Sequence, residues 1–256
     1  MLLTERRDDV LHVTLNRPDS YNAVNPGLRD RLVEVFDGAE AAGVRAILLR
    51  GNGRGFCAGA DLKASPTGQS GVDTMRTMRL STQRLVKSFL DCPVPVVAAV
   101  HGVAAGIGLT LALAADICVA ATDAKFTAAF AQRAIFPDGA TVFLLPRLIG
   151  MARTKDFLMR GRSIEAGEAL RIGMICETAP PQRLTAAAES AAAELAAMPT
   201  VTLSLTKQLL AQAFDLDLGG VLLAERAAQG LSATTEDAVE GRRSFAERRS
   251  ARFAGR

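Results

Sequence analysis

Apolar residues along the first 120 positions follow two rhythms, one short and one helical. The run "LLTERRDDVLHVTLNRP" reads as two short strands around the turn Arg7-Asp8-Asp9, ending at Pro18. Residues 26–42 read as a helix: Pro26 opens it, Leu28, Leu32, Val35 and Phe36 form its apolar stripe, and Gly43 stops it. "VRAILLR" is a buried strand and "GNGRGFCAG" a glycine-rich loop. Residues 73–90 fit a helix and "PVPVVAAV" a strand. "HGVAAGIGLTLALAADI" predicts a loop and then a helix, followed by a strand at "ADICVAA". This strand–loop–helix alternation predicts an α/β fold with crossover connections.

After about residue 139 the rhythm turns helical in "TKDFLMRG", "SIEAGEALRIG", "LTAAAESAAAELAAM", "VTLSLTKQLLAQAF" and "LAERAAQGLSA". Alanine-rich residues 185–197 favour helix but bury little area alone. They need a partner surface, either the core or another subunit. Disorder signals are confined to the last few residues.

Composition narrows the class. With 256 residues, 49% hydrophobic and without Trp, the chain fits one large domain or a domain with an appendage. The net charge is +3, and the surplus gathers in the last fifteen residues at Arg242, Arg243, Arg248, Arg249, Arg252 and Arg256. Such a tail suits an anionic partner or is a solvated helix end. It has no interleaved aromatic platform, which argues against single-stranded nucleic acid. Cys57, Cys92, Cys118 and Cys176 lie far apart in apolar contexts, and there are only two histidines. No metal-ligand spacing results, so reduced thiols of a cytoplasmic protein are expected, with no metal. "MLLTERRDDV" has acids where a signal peptide has its apolar core, and no apolar run reaches membrane-spanning length.

The two glycine loops share one layout, in which a strand feeds a tight turn and an apolar run follows. Unpaired backbone N–H groups at such turns favour negative charge, and two aimed at one point make an oxyanion hole. "GNGRGFCAGADL" lacks the spacing of a dinucleotide fingerprint and the GK[ST] of a phosphate-binding P-loop. A plain structural turn remains the alternative.

Five ordered motifs and the chain end carry a resemblance. "NRPDSYNAV" (16–24), "GFCAGADL" (55–62), "PVPVVAAVHGVAAGIGLTLALAADI" (93–117), "FPDGATVFLLPRLIG" (136–150), "GRSIEAGEALRIGMI" (161–175) and "TTEDAVEGRRSFAERR" resemble the enoyl-CoA hydratase/isomerase, or crotonase, superfamily. The resemblance implies a spiral of ββα turns over residues 1–190 with a C-terminal helical region, 191–256, that builds a homotrimer or a dimer of trimers. It implies acyl-CoA substrates and no cofactor beyond their CoA moiety, with no nucleic-acid or membrane partner. Matched by position, the thioester oxygen would be held by the N–H groups of Ala60 and Ile107. Ala23, Val24, Ala58, Gly59, Asp61, Leu62, Gly106, Thr110, Phe130 and Ile135 would bind substrate, and Arg17, with Arg54 near it, would lie at the CoA entrance. Ile107 stands where the family usually has glycine, which keeps the donor provided its φ is negative.

The chain departs from the family's hydratases at both water-handling glutamates, whose positions hold Thr110 and Phe130. Neither transfers a proton at neutral pH, which argues against hydration. Asp138 in "FPDGA" matches the aspartate proposed as acid/base in the epoxyphenylacetyl-CoA and double-bond isomerase branch. An apolar setting of Phe130, Ile135 and Phe136 would raise its pKa. Its bland alternative is a helix N-cap. Asp61 reads as a turn residue, and His101 and His12 as structural. The expected function is an acyl-CoA isomerase; the alternatives are an atypical hydratase and an acyl-CoA-binding paralogue without catalysis.

Overall fold

The structure is a computed structural model and describes residues 1–64 and 68–256. Strands β1 (Leu2–Arg7) and β2 (Val10–Leu15) pair antiparallel across the Asp8–Asp9 turn. Helix α1 (Pro26–Asp37) starts where the Asn25 side chain accepts the Leu28 N–H, and it buries Leu28, Leu32 and Phe36. It stops five residues short of the expected end. Gly38 takes the cap, and turns through residues 39–43 lead into β3 (Ala46–Gly51).

The single helix expected over 73–90 is two, α2 (Gly71–Leu80) and α3 (Thr82–Leu90). They break at Ser81 (φ −114°, ψ −94°), whose hydroxyl donates to the Thr77 carbonyl at 2.5 Å and so competes for helix backbone. Then come β4 (Val96–Val100), β5 (Val103–Ala105), α4 (Ile107–Leu113), β6 (Ile117–Ala121) and β7 (Lys125–Thr127). Helix α5 (Thr141–Arg160) is kinked at Gly150, where φ is 77°. Strand β8 (Ser163–Glu165), α6 (Ala166–Arg171) and β9 (Glu177–Ala179) follow, then α7 (Leu184–Ala196), α8 (Thr200–Ala211), α9 (Leu218–Ser232) and α10 (Glu236–Ala246). The stretch after residue 139 is therefore not purely helical. Three-residue strands such as β5, β7, β8 and β9 are too short to show an alternating pattern.

A six-stranded sheet has the order β1-β2-β3-β4-β6-β9, parallel from β2 onward, and a three-stranded sheet has the order β5-β7-β8. Parallel bridges Val24↔Ala60 and Cys57↔Ala104 continue the small sheet's layer through both glycine-loop segments. Each turn of chain thus lays a strand in the large sheet, a strand or bridge in the second layer, and then a helix. Strand β2, the Val24 bridge and α1 make one turn; β3, the Cys57 bridge and α2–α3 the next; β4, β5 and α4 a third. The fold is the crotonase-type spiral of ββα turns.

Strands β3 and β4 are buried on both faces, as central parallel strands require. Helix α7 spans residue 190 and lies against β3, β4 and β6 through buried Ala188, Ala192 and Ala196, so the core layer runs on to Ala196. Helices α8 and α9 pack on each other and bury no residue fully. The basic tail is folded back. Arg249 grips Glu240 through two N–H groups and holds its carboxyl down at about 2, while the Asp237 carboxylate accepts the N–H groups of Ala254 and Gly255. Among the described residues no helix is long and apolar enough to cross a membrane.

Candidate active site

Two backbone segments meet at glycines. Gly59 has φ +105° and Gly106 φ +52°, conformations that favour glycine. A Cβ on Gly106 would lie 3.4 Å from the Gly59 Cα, and one on Gly59 would lie 3.1 Å from the Ala105 carbonyl oxygen. Bare backbone is what lets the segments touch. They are also stitched: Cys57 donates to Val103 O at 3.1 Å, and Ala105 donates back to Cys57 O at 2.9 Å.

Each glycine is followed by a candidate donor. Val24 donates to Gly59 O (2.8 Å), and Asp61 donates to Val24 O (3.0 Å). Successive N–H groups alternate along extended chain, so the N–H of Ala60 points away from Val24. Ile107 is the first residue of α4, where an N–H has no partner within the helix, and no side chain caps it. Its φ is not positive, so the branched side chain carries no left-handed strain. Among the described residues neither N–H meets a protein acceptor. Helix α4 has only seven residues, so these are hydrogen-bond donors first, with little dipole behind them.

Ala60 and Ile107 line one cavity of about 790 Å³. Val24, Ala58, Gly59, Asp61, Leu62, Gly106, Phe130, Ile135 and Asp138 share its wall. Ala23, Thr110 and Arg17 do not. Arg17 donates to the Ala23 carbonyl and, at 2.9 Å, to Asp61 Oδ2, so it ties loop to loop. That pairing holds the Asp61 carboxyl below its ordinary value. Arg54 instead stacks on Tyr21, 4.5 Å from the ring centre. His101 Nε2 lies 2.9 Å from Gly53 O, and His12 is buried in the sheet.

Asp138 is set differently from Asp61. Burial pushes its carboxyl above the ordinary value, and the only opposing influence is its own backbone N–H. It does not cap α5. Ala140 occupies the cap position with φ +63° and no side-chain bond, while the Asp138 backbone oxygen accepts from Thr141 N (3.2 Å) and Oγ1 (2.8 Å). The carboxyl is left to the cavity, and no ion pair reaches it among the described residues. Phe136, expected beside it, is 77% exposed and off the wall, so Phe130 and Ile135 supply the apolar setting.

Thr110 is 1% exposed, and its hydroxyl has no partner among the described residues. A Cβ on Gly139 would come within 2.5 Å of that oxygen, so the glycine, itself at φ +63°, leaves the Thr110 hydroxyl its space beside the Asp138–Gly139 turn. Sequence reasoning missed the opposite wall, where Thr74, Thr77, Met78, Ser81, Thr82 and Leu85 of α2–α3 line the cavity. Their three- and four-residue spacing was the available signal. Arg29 and Arg133 were missed as well. No cluster of His, Cys, Asp or Glu able to hold a metal occurs among the described residues.

A ββα spiral with a cavity lined by Ala60, Ile107 and the half-buried Asp138 has the architecture of a crotonase-type protein. The chain belongs to the enoyl-CoA hydratase/isomerase family, which it matches over residues 5–256. It is 37% identical to the 1,2-epoxyphenylacetyl-CoA isomerase of Escherichia coli, over 100% of this chain and 98% of that protein. It is 36% identical to a probable enoyl-CoA hydratase of Rhodobacter capsulatus, over 95% and 94% of the two chains. Among solved structures, an enoyl-CoA hydratase homologue from Streptomyces coelicolor superposes with a TM-score of 0.92 at 36% identity, covering 100% of this chain and 94% of that one. Enzymes of this family act on acyl-CoA substrates.

The raised Asp138 carboxyl has a consequence for stability. Between the ordinary and the raised value the folded state holds a proton that the unfolded state has released, so stability falls as pH rises through that window. Asp138→Asn removes this loss. Its stability relative to wild type is expected to improve from acid to neutral pH, read from urea midpoints across the range. A pH-independent difference would contradict the raised value.

Proposed function

We propose that the chain is an acyl-CoA isomerase that shifts a double bond or rearranges a ring through a thioester enolate. The observation that supports it most is the Asp138 carboxyl, half-buried, with no ion pair among the described residues and on the same cavity wall as Ala60 and Ile107. In this reading the thioester oxygen accepts both N–H groups. The Asp138 carboxylate takes a proton from one carbon of the acyl group, and the electron pair moves into the enolate. Asp138 then returns the proton to another carbon, so no atom is gained or lost. A carboxyl pushed up toward neutrality is better matched to both halves of this cycle. CoA enters as part of the substrate, and no further cofactor is invoked.

Two outcomes compete. Hydration is favoured only by the buried, unpartnered Thr110 hydroxyl, a group able to hold water but not to split it. The other is binding without catalysis. The deciding experiment is proton exchange of an acyl-CoA panel in deuterated water, read by mass spectrometry. Wild type is expected to exchange without gaining the mass of water. Asp138→Asn should lower exchange by about 10²–10⁴-fold while thioester binding persists. Gain of water mass would select the hydratase, and tight binding without exchange the non-catalytic paralogue.

The donors have their own test. Proline is tolerated at the first position of a helix and removes the N–H together with the isoleucine side chain, a loss that Ile107→Gly reproduces without losing the N–H. Ile107→Pro should cut turnover by roughly 10²–10³-fold, whereas Ile107→Gly keeps the donor and should change acyl preference more than rate on short substrates. Unchanged turnover in Ile107→Pro would move the donor elsewhere.

Assembly as a homotrimer or dimer of trimers is part of the proposal. Leu205, Leu209, Leu210 and Val221 line an open groove of about 870 Å³ between α8 and α9, and Phe214, Leu222 and Leu223 are exposed nearby in the chain. Such a surface calls for a covering partner. Sedimentation should give three or six copies; a stable monomer at micromolar concentration would overturn this.

A further inference from the structure

The two proposed donors are held by different means. Ile107 opens α4, so helix backbone places its N–H. Ala60 lies in no helix or strand. A single parallel bridge joins it to Val24, through the Val24 N–H to Gly59 O at 2.8 Å and the Asp61 N–H to Val24 O at 3.0 Å. Two hydrogen bonds are a light restraint for a donor that must be held to about 0.5 Å. Arg17 adds to them. One guanidinium nitrogen donates to the carbonyl of Ala23, the residue before Val24. The other terminal nitrogen donates at 2.9 Å to Oδ2 of Asp61, the residue after Ala60. One planar fork thus spans both chains of the bridge. The pair is shielded, its side chains being 21% and 15% exposed. The root of Arg17 is fixed too. Its backbone N–H donates to Asn22 Oδ1 at 2.8 Å, and Nδ2 of the fully buried Asn22 reaches the Asn52, Gly55 and Phe56 carbonyls at 2.8, 2.9 and 3.1 Å. Those carbonyls belong to the segment that leads into Ala60.

We infer that Arg17 is a positioning residue for the Ala60 N–H, and that without its fork a bound thioester carbonyl is less polarised although the thioester still binds. A guanidinium suits this task because its donors are fixed relative to one another, so two acceptors on different chains are held at one spacing. The Arg17–Asp61 pair is neutral as a whole, so the fork acts by geometry rather than by adding positive charge beside the oxygen. It also takes Arg17 away from the CoA entrance: a phosphate arriving there would have to displace Asp61 and the Ala23 carbonyl. This inference rests on Ala60 and Ile107 as the thioester donors, though not on which reaction follows.

Isotope-edited infrared spectroscopy of bound butyryl-CoA, labelled with heavy carbon at the thioester carbonyl, tests it on the intact protein. In wild type the carbonyl band should lie below that of the free thioester. Arg17→Ala should lose much of that downshift and about ten- to a hundredfold of the α-proton exchange rate, the cost of a small misplacement. Free CoA should bind this variant as it binds wild type. Asp61→Asn should lose part of the downshift, in the same direction. Arg17→Lys, which reaches one acceptor at a time, should lose less than Arg17→Ala. A wild-type band position in Arg17→Ala would overturn the inference. So would opposite shifts in Arg17→Ala and Asp61→Asn, because charge and not geometry would then act. Weaker binding of free CoA in Arg17→Ala with an unchanged downshift would return Arg17 to the CoA entrance. Failure of wild type to bind butyryl-CoA, or binding without a downshift, would instead remove the thioester reading of the donors, and this inference with it.

Discussion

The contact between Gly59 and Gly106 is the constraint on which the rest of the site depends. Both residues are held at positive φ, and a Cβ on Gly59 would crowd the Ala105 carbonyl oxygen at 3.1 Å, so side chains here strain the contact between the two segments. The residues after these glycines, Ala60 and Ile107, carry the free N–H groups. Their relative placement is inherited from the glycine contact and from the Cys57–Val103 and Cys57–Ala105 hydrogen bonds beside it. Donors fixed by two layers of backbone need no reorganisation when charge develops on a bound oxygen, which is where such sites gain their effect.

The two aspartates on the cavity wall show how surroundings divide similar groups into different roles. Asp61 is ionised and committed to Arg17, so it holds one loop to another. Asp138 is half-buried with no ion pair among the described residues, and the chain accepts the cost of partly desolvating it. The turn that presents it is itself conformationally demanding, with both Gly139 and Ala140 left-handed at φ 63°. Strain and a half-buried acid at one turn, beside the Thr110 hydroxyl that has no partner among the described residues, fit a place kept for chemistry rather than for stability.

The alanine-rich helices divide along physical lines as well. Small side chains let α7 settle on β3, β4 and β6, so its alanines are core residues in spite of their size. The following pair, α8 and α9, presents leucines and a phenylalanine to solvent, and its packing within one chain is not complete.

Much of this was legible in the chain. The apolar stripe of α1, the buried runs of β3, β4 and β6, and the ordered glycine motifs follow from local periodicity and from backbone that only glycine permits. Asp138, Ala60 and Ile107, singled out by their motifs, come together on one cavity wall. What local sequence did not determine is pairing between distant segments. Strands β5, β7, β8 and β9 exist only because neighbours supply their hydrogen bonds, and Ser81 breaks a helix through one hydroxyl that periodicity does not weigh. The same holds for charge. Arg17 and Arg133 are equivalent as letters, yet Arg17 is consumed by Asp61 and Ala23 while Arg133 lines the cavity with no ion pair among the described residues. Which carboxylate a guanidinium meets depends on distances between residues far apart in the chain, and those distances are decided only when the layers of the spiral close on one another.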